Sequence, residues 1–487
     1  MKSKKLLILL AVMMLAASLL AGCGKKGGNA KGELETLTIL YPGETSDRMS
    51  EFLKNEFAEK MAADLGLKVE VTFVPWAQYW EQKDIMLAAN EPVDLYWDGL
   101  PDLAAMVNKK QSMALDDLIN NYGKDMLKVL PEQQLQGATI DGKIYGIPSA
   151  YAPSSAMFQL VCVRQDILEA VGMTEIKTAE DLKEFAKKVK DQFPEMKGPA
   201  DVIFKPLTRY FTEEQYNWIA AEDLVVFGED TKKAYSYFET EAFQKLAQYN
   251  QSMYDEGLYT EDLTIKYNER DSRMQTGLYL WVEGSLGKEM EIINTVKANA
   301  PDAKLKSYLL APEKPRYITS TGGEVLCIPV TAPNPEGAMK FINWLYSSQE
   351  NYLFALYGVE GKDYEIVDGR INKLSSNEFF YEWMFRNQNY QLFAPDVEQE
   401  NIDNYTKWDN EAIVSDSLGF RFNNENVKEI ETALREVAGK DLAAVRSGFV
   451  DFETEYPKAI KKLKDAGIDE YVAEVQRQLD EYLANKK

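Results

Sequence analysis

Leu37-Thr38-Ile39-Leu40-Tyr41, closed by Pro42-Gly43, opens the segment whose succession of element types decides the fold. The run is short and apolar, so it reads as a strand that Pro42-Gly43 ends. Residues 47–65 follow as a helical stretch with Phe52, Phe57 and Met61 turned to a core, and Gly66 stands where a helix C-cap belongs. Lys68-Val69-Glu70-Val71-Thr72-Phe73-Val74 then alternates with period two and stops at Pro75, and Val93-Asp94-Leu95-Tyr96-Trp97 is a further strand-like run. Strand, helix, strand, helix, strand predicts an α/β fold around a parallel sheet.

The same grammar continues outward. Thr178-Ala179-Glu180-Asp181 is a capping-box start, with Leu182, Phe185, Ala186 and Val189 on one face of the helix it opens. Asn334-Pro335 starts another helix, whose Ala338, Phe341, Ile342 and Leu345 share a face. Between them, Leu224-Val225-Val226-Phe227, the turn Gly228-Glu229-Asp230 and Ala234-Tyr235-Ser236-Tyr237-Phe238 predict a hairpin packed on a helix over residues 241–256. Residues 426–487 read as charged helix, with Ile468, Val472, Val475, Leu479 and Tyr482 as its packing stripe. No internal repeat or Pro-rich linker divides the chain.

A chain of 487 residues, 45% hydrophobic, can bury two sizeable cores. Met1 to Cys23 has the form of a bacterial lipoprotein export signal: Lys2, Lys4 and Lys5, an apolar run too short for a spanning helix, then Leu20-Ala21-Gly22-Cys23. Cys23 is the expected mature N-terminus and lipid carrier, and Gly24 to Gly32, small and polar, the expected leash. Loss of the three leader lysines takes the net charge from −23 to −26. Such acidity argues against nucleic acid, whose phosphates it would repel, and favours a neutral or cationic ligand. Cys162 and Cys327 lie in apolar strand-like runs and read as buried free thiols. The absence of histidine removes the usual base of nucleophilic hydrolases and the commonest ligand of catalytic zinc. No Asp-x-Asp-x-Asp-Gly loop marks a calcium site, and nothing calls for a cofactor.

Asp141-Gly142-Lys143-Ile144-Tyr145-Gly146-Ile147-Pro148, followed by Val163-Arg164-Gln165-Asp166-Ile167-Leu168, resembles the "GK-hydrophobic-YGIP" segment of extracellular solute-binding proteins of ABC importers, in the lipoprotein group related to maltose-binding protein. Leu280-Trp281-Val282-Glu283-Gly284 and Gly323-Glu324-Val325-Leu326-Cys327-Ile328-Pro329 resemble that family's return crossing. Arg421-Phe422-Asn423 onward resembles the C-terminal domain, of unassigned role, of one Gram-positive subgroup. That subgroup commonly has Trp-Met-Phe-Gly-Asn where this chain has Trp383-Met384-Phe385-Arg386-Asn387.

The resemblance implies a two-lobed periplasmic-binding-protein-like fold with interlobe hinge crossings. Residues 1–22 would be the signal peptide and 23–34 the tether. Residues 35–150 with about 317–347 would form lobe one, and 151–316 with about 348–487, including the helical tail, lobe two. It implies no enzyme, but a lipid-anchored monomer on the outer face of the cell membrane that carries a carbohydrate, an oligosaccharide by expectation, to permease subunits. A peptide or a cationic solute remains the alternative cargo, and a glycosidase using carboxylates such as Asp98 and Glu283 the alternative class.

A sugar cleft needs aromatic platforms for C–H faces and carboxylates or amides for hydroxyl edges. Trp76, Tyr79 and Trp80 follow the strand stop at Pro75, and Trp97 with Asp98 ends the next strand, where ligand loops of α/β sheets lie. Tyr151 belongs to the first crossing, and Trp281 with Glu283 to the second. The expected ligand-binding residues are therefore Trp76, Tyr79, Trp97, Asp98, Tyr151, Trp281 and Glu283, with Trp218, Trp344, Trp383, Asn387 and Trp408 holding lesser claims.

Overall fold

The structure is a computed structural model that describes residues 34–130, 132–149, 155–220, 223–259, 267–319, 323–375 and 379–486. Lobe one is built on β1 (Glu35–Pro42), β2 (Leu67–Val74) and β3 (Leu95–Gly99). They order β2-β1-β3, with β1 parallel to both neighbours, and the strand Glu324–Cys327 adds antiparallel beyond β3, followed by Ile147–Pro148. β1 and β3 are buried over most of their length because helices cover both faces, while the edge strand β2 alternates half-buried and exposed between buried ends.

The stretch after β1 is helical throughout, but Leu53–Phe57 is a π-turn between Asp47–Phe52 and Ala58–Leu65. In an unbroken α-helix Phe52 and Phe57 would point about 140° apart. The wider turn lets both reach the core, where each is fully buried. Gly66 caps the helix at φ 68°.

The Asp141 to Pro148 segment acquires a physical reading. Asp141 and Gly142 (φ 50° and 76°) form the two-residue loop of a hairpin pairing Thr139–Ile140 with Lys143–Ile144. Gly146 then lets the chain press onto the strand Glu324–Cys327: a Cβ there would lie 2.2 Å from Val325 Cγ2.

Lobe two holds the strand Leu160–Arg164 between Trp281–Gly284 and Leu305–Leu309, all antiparallel. One face of this sheet (Val161, Val163, Trp281) joins a core with Phe185, Phe227 and Phe243, and the other (Cys162, Val282, Leu305) a smaller one with Ile292 and Val296. The helix Ala179–Gln192 has its full capping box, Thr178 Oγ1 accepting from Asp181 N at 3.0 Å and Asp181 Oδ2 from Thr178 N at 2.8 Å. The predicted hairpin is Val225–Gly228 with Lys233–Ser236. The tail helices Phe452–Asp465 and Ile468–Asn485 pack on the same large core through Leu463, Ile468, Val475 and Leu479, with Val472 and Tyr482 at its margin.

One boundary is corrected. Residues 348 to about 392, expected in lobe two, belong to lobe one: Tyr352, Leu356, Tyr364, Ile371, Phe380 and Phe385 share its core with Phe52, Phe57 and Phe341. The apolar face of the helix Gln349–Tyr357 has nowhere else to go once the preceding helix Pro335–Leu345 is docked. Lobe two resumes at Phe393, which packs with Leu160, Leu286, Leu309 and Tyr405.

The segments that pass between the lobes are braced together. Trp408 Nε1 donates to Ser155 O at 2.7 Å, and Arg316 lies 4.4 Å from the centroid of the Trp408 ring while its Nη2 donates to Trp408 O at 2.7 Å. Tyr317–Ile318 pairs in parallel with Ile413–Val414. Trp408, weighed above as a ligand contact, is a strut of this hinge. Cys162 and Cys327 are buried free thiols on different sheets. Among the described residues no helix is long and apolar enough to cross a membrane. Cys23, the leader and the leash lie outside the described residues.

Candidate binding site

The order β2-β1-β3 means that the chain leaves β1 toward one side and returns on the other, so a crevice opens at the carboxyl ends beside β1. Aromatic side chains fill that end. Trp76 and Trp80 stand one turn apart in the helix Trp76–Ala88, directly after β2, and Trp97 lies on β3. Tyr381 and Trp383 arrive from the irregular segment that the boundary correction brings to lobe one. Trp383 stacks on Trp76 (ring centroids 5.9 Å, interplanar 24°) and on Tyr381 (5.8 Å, 19°), and meets Trp97 edge-on at 5.3 Å. Trp80 lies 5.4 Å from Trp97 on the other side. Trp97 is almost covered, whereas Trp76 and Trp80 remain 37% and 45% exposed. The result is an open aromatic platform on a buried indole.

Its supports are polar and buried. Tyr79 is fully buried and its hydroxyl donates to Trp97 O at 2.6 Å. Asp98 pairs with Lys83 of the same helix, both out of solvent, and accepts from Gly99 N at 2.7 Å. Burial raises the Asp98 carboxyl above its usual range despite the lysine. Lys83 Nζ also lies 5.1 Å from the Trp80 ring centroid. Gly43, at φ +123°, leaves room for Tyr381, whose Oη would lie 2.9 Å from a Cβ there. Trp76 Nε1 donates to that hydroxyl at 3.3 Å.

The sequence-predicted set therefore splits. Trp76, Tyr79, Trp97 and Asp98 come together, with Tyr79 and Asp98 corrected from ligand contacts to props beneath the platform. Trp281 is corrected more fully: it has no exposure and packs 6.1 Å from Phe185 inside lobe two, because its position on the inner face of an internal sheet turns the ring inward. Glu283 sits on the same strand and accepts from Phe204 N. Tyr151 lies outside the described residues. Trp344 donates to Asp64 at 2.9 Å on the far side of lobe one, and Asn387 is fully buried in a turn. Arg386, where the subgroup has glycine, pairs with Glu382 at 3.3 Å. Tyr381 was not singled out: it lies in no helix or strand, so no periodicity marks it.

Burial, and secondarily Asp201, pushes the Glu283 carboxyl up to about 7. The folded state thus holds a proton that the unfolded chain, near the ordinary 4.5, releases earlier. Its stabilising share is full below about pH 4.5 and is lost as pH rises through about 7, a change on the order of 3 kcal/mol. Glu283→Gln is expected to flatten that limb of the thermal midpoint between pH 5 and 8; an unaltered profile would show that Glu283 does not titrate there.

Lobe two offers a second wall. A cavity of about 170 Å³ is lined by Phe158, Lys205, Tyr216, Trp218, Tyr317 and Thr319. Phe158 follows Pro148 by ten residues and Thr319 precedes Glu324 by five; Glu324 begins the strand next to β3 and Pro148 ends the edge strand beyond it, so the cavity's lining segments are those that enter and leave the platform's sheet. Among the described residues no cluster of three His, Cys, Asp or Glu side chains is placed to hold a metal ion.

Comparison with known proteins agrees with this architecture. The model of a family described as "Bacterial extracellular solute-binding protein" matches residues 55–358, and that of a domain of unknown function (DUF3502) matches residues 416–484. A carbohydrate ABC transporter substrate-binding protein of Streptococcus pneumoniae is 25% identical over 98% of both chains. Lipoprotein LipO of Bacillus subtilis is 22% identical over 74% of each. The crystal structure of an N-glycan transport solute-binding protein (NgtS) from S. pneumoniae superposes with a TM-score of 0.78 at 23% identity, covering 93% of this chain and all of the other. The same protein in complex with Man5GlcNAc gives 0.70.

Proposed function

For a chain that belongs to the bacterial extracellular solute-binding protein family, we propose capture of an oligosaccharide between the two lobes and its delivery to the permease of an ABC importer. The platform of Trp76, Trp80, Tyr381 and Trp383 carries this reading. Exposed indoles brought together are costly in water and match the C–H faces of sugar rings. The family and its relatives are binding proteins rather than enzymes, and the glycan-bound state of NgtS and the name of the pneumococcal relative support a carbohydrate cargo.

A ligand touching the platform and the lobe-two wall gains contacts only when the lobes approach, so binding shifts the population toward closure about the braced hinge. The permease would read that closed form. The leader ending at Cys23 supports lipid anchoring at the outer membrane surface, as the lipoprotein relative does. Calorimetric titration of the mature chain against an oligosaccharide panel tests the reading. Binding of at least one member below about 10 μM is expected; silence across the panel with binding to a peptide or polyamine would remove the sugar assignment.

A further inference from the structure

Lys205 stands out in the lobe-two cavity. Its Nζ lies 5.4 Å from the ring centroids of both Phe158 and Trp218, and no carboxylate among the described residues forms an ion pair with it. Two further polar atoms of the cavity wall, Trp218 Nε1 and Gln159 Oε1, are buried without a hydrogen-bond partner. Arg209, also lining the cavity, spends its donors on Leu310 O, Ala311 O, Lys314 O, Pro315 O and Gln215 Oε1, and among the described residues no carboxylate forms an ion pair with it. Arg316 is close enough to Arg209 to repel it.

In a chain of net charge −23 this is a cationic pocket. Acids surround it, with Glu214 bearing on the lining Tyr216, and Asp230 and Asp416, opposed by Lys232, on Tyr317, but among the described residues none forms an ion pair with Lys205. Glu283, within the field of Lys205, and Glu229, which accepts from Asn217 Nδ2, are both pushed toward their neutral forms by burial, and Glu313 answers Arg209 only through space. An ammonium clasped between two rings has its hydrophobic stem packed and its charge free, which is the arrangement for a ligand anion bound beside a sugar face.

We propose that the cavity receives an acidic sugar residue, its carboxylate paired with Lys205 and its ring against Phe158 and Trp218, so that the cargo is a carboxylate-bearing oligosaccharide. This rests on the oligosaccharide reading above and narrows it. The negative surface then acts as a filter: an isolated anion is repelled at long range, and the acidic sugar is accepted only where ring contacts and Lys205 act together.

Calorimetric titration of the mature chain with length-matched galacturonate and neutral galactose oligosaccharides, at 50 and 300 mM salt, tests it. The acidic series is expected to bind at least tenfold tighter at low salt, the advantage shrinking at high salt. Lys205→Met, which keeps the stem between the rings, is expected to cost the acidic ligand roughly 10- to 30-fold and the neutral one less than twofold, and Lys205→Arg to restore most of the loss. Equal affinity for the two series, or an equal loss of both in Lys205→Met, would overturn the acidic assignment and leave the oligosaccharide reading standing. Silence toward both, with binding to a peptide, would overturn the two together.

Discussion

Replacing Trp383 by alanine is expected to weaken oligosaccharide binding about 30-fold while the protein stays folded. Trp383 contacts three of the other rings at once, stacked on Trp76 and Tyr381 and edge-on to Trp97. Its loss removes one sugar-facing surface and leaves Trp76 without its stacked neighbour, an effect of about 2 kcal/mol for a central aromatic contact. The ring is only half-buried and Met384 and Phe385 keep the segment anchored in lobe one, so the thermal midpoint should fall little. Trp383→Phe should recover part of the affinity. Because Trp76 and Trp383 lean on each other, the double variant should lose less than the sum of the singles. Calorimetry decides: an affinity within threefold of the parent would mean that this surface does not meet the ligand.

Lys83→Met should have the largest effect on stability. It strips the buried Asp98 of its counter-ion while preserving the volume of the lysine stem, and a lone buried carboxylate costs about 3–5 kcal/mol. The deficit, read from urea midpoints, should shrink toward acid pH, because Asp98 is already biased toward its protonated form by burial and neutralises there. Lys83→Met/Asp98→Leu should regain most of the loss, since no charge is then stranded. Ligand affinity should fall in the single variant as well, because Lys83 lies against Trp80 and Asp98 adjoins Trp97. An unchanged urea midpoint would show that water reaches Asp98.

Much of this architecture was legible in the residues. Local signals carried it: prolines closing β1 and β2, Gly66 and the Thr178 box bounding helices, and Asn334-Pro335 starting one, each an effect of backbone sterics or of an unpaired amide that acts within a few residues. The position of Trp76 and Trp97 at one end of the sheet was legible because a proline stop and a strand end mark where a parallel sheet opens its crevice. The remainder depended on long-range docking. Nothing within residues 348–392 says which core its Tyr352, Phe380 and Phe385 will join, and Trp383 could be placed on the platform only once that was known. Trp281 shows the converse: a tryptophan on a strand looks the same in sequence whether its sheet is covered on one face or two. Lys205 carried no mark at all, since its meaning comes from the rings around it and from having no ion-pair partner among the described residues.

The decisive measurement is a crystal structure of the mature protein with a bound oligosaccharide. A sugar ring is expected against the face of Trp76 or Trp383 and, in the same ligand, contact with the Phe158–Trp218 wall of lobe two. A ligand that binds elsewhere, or that touches one lobe and leaves the aromatic platform bare, would contradict it.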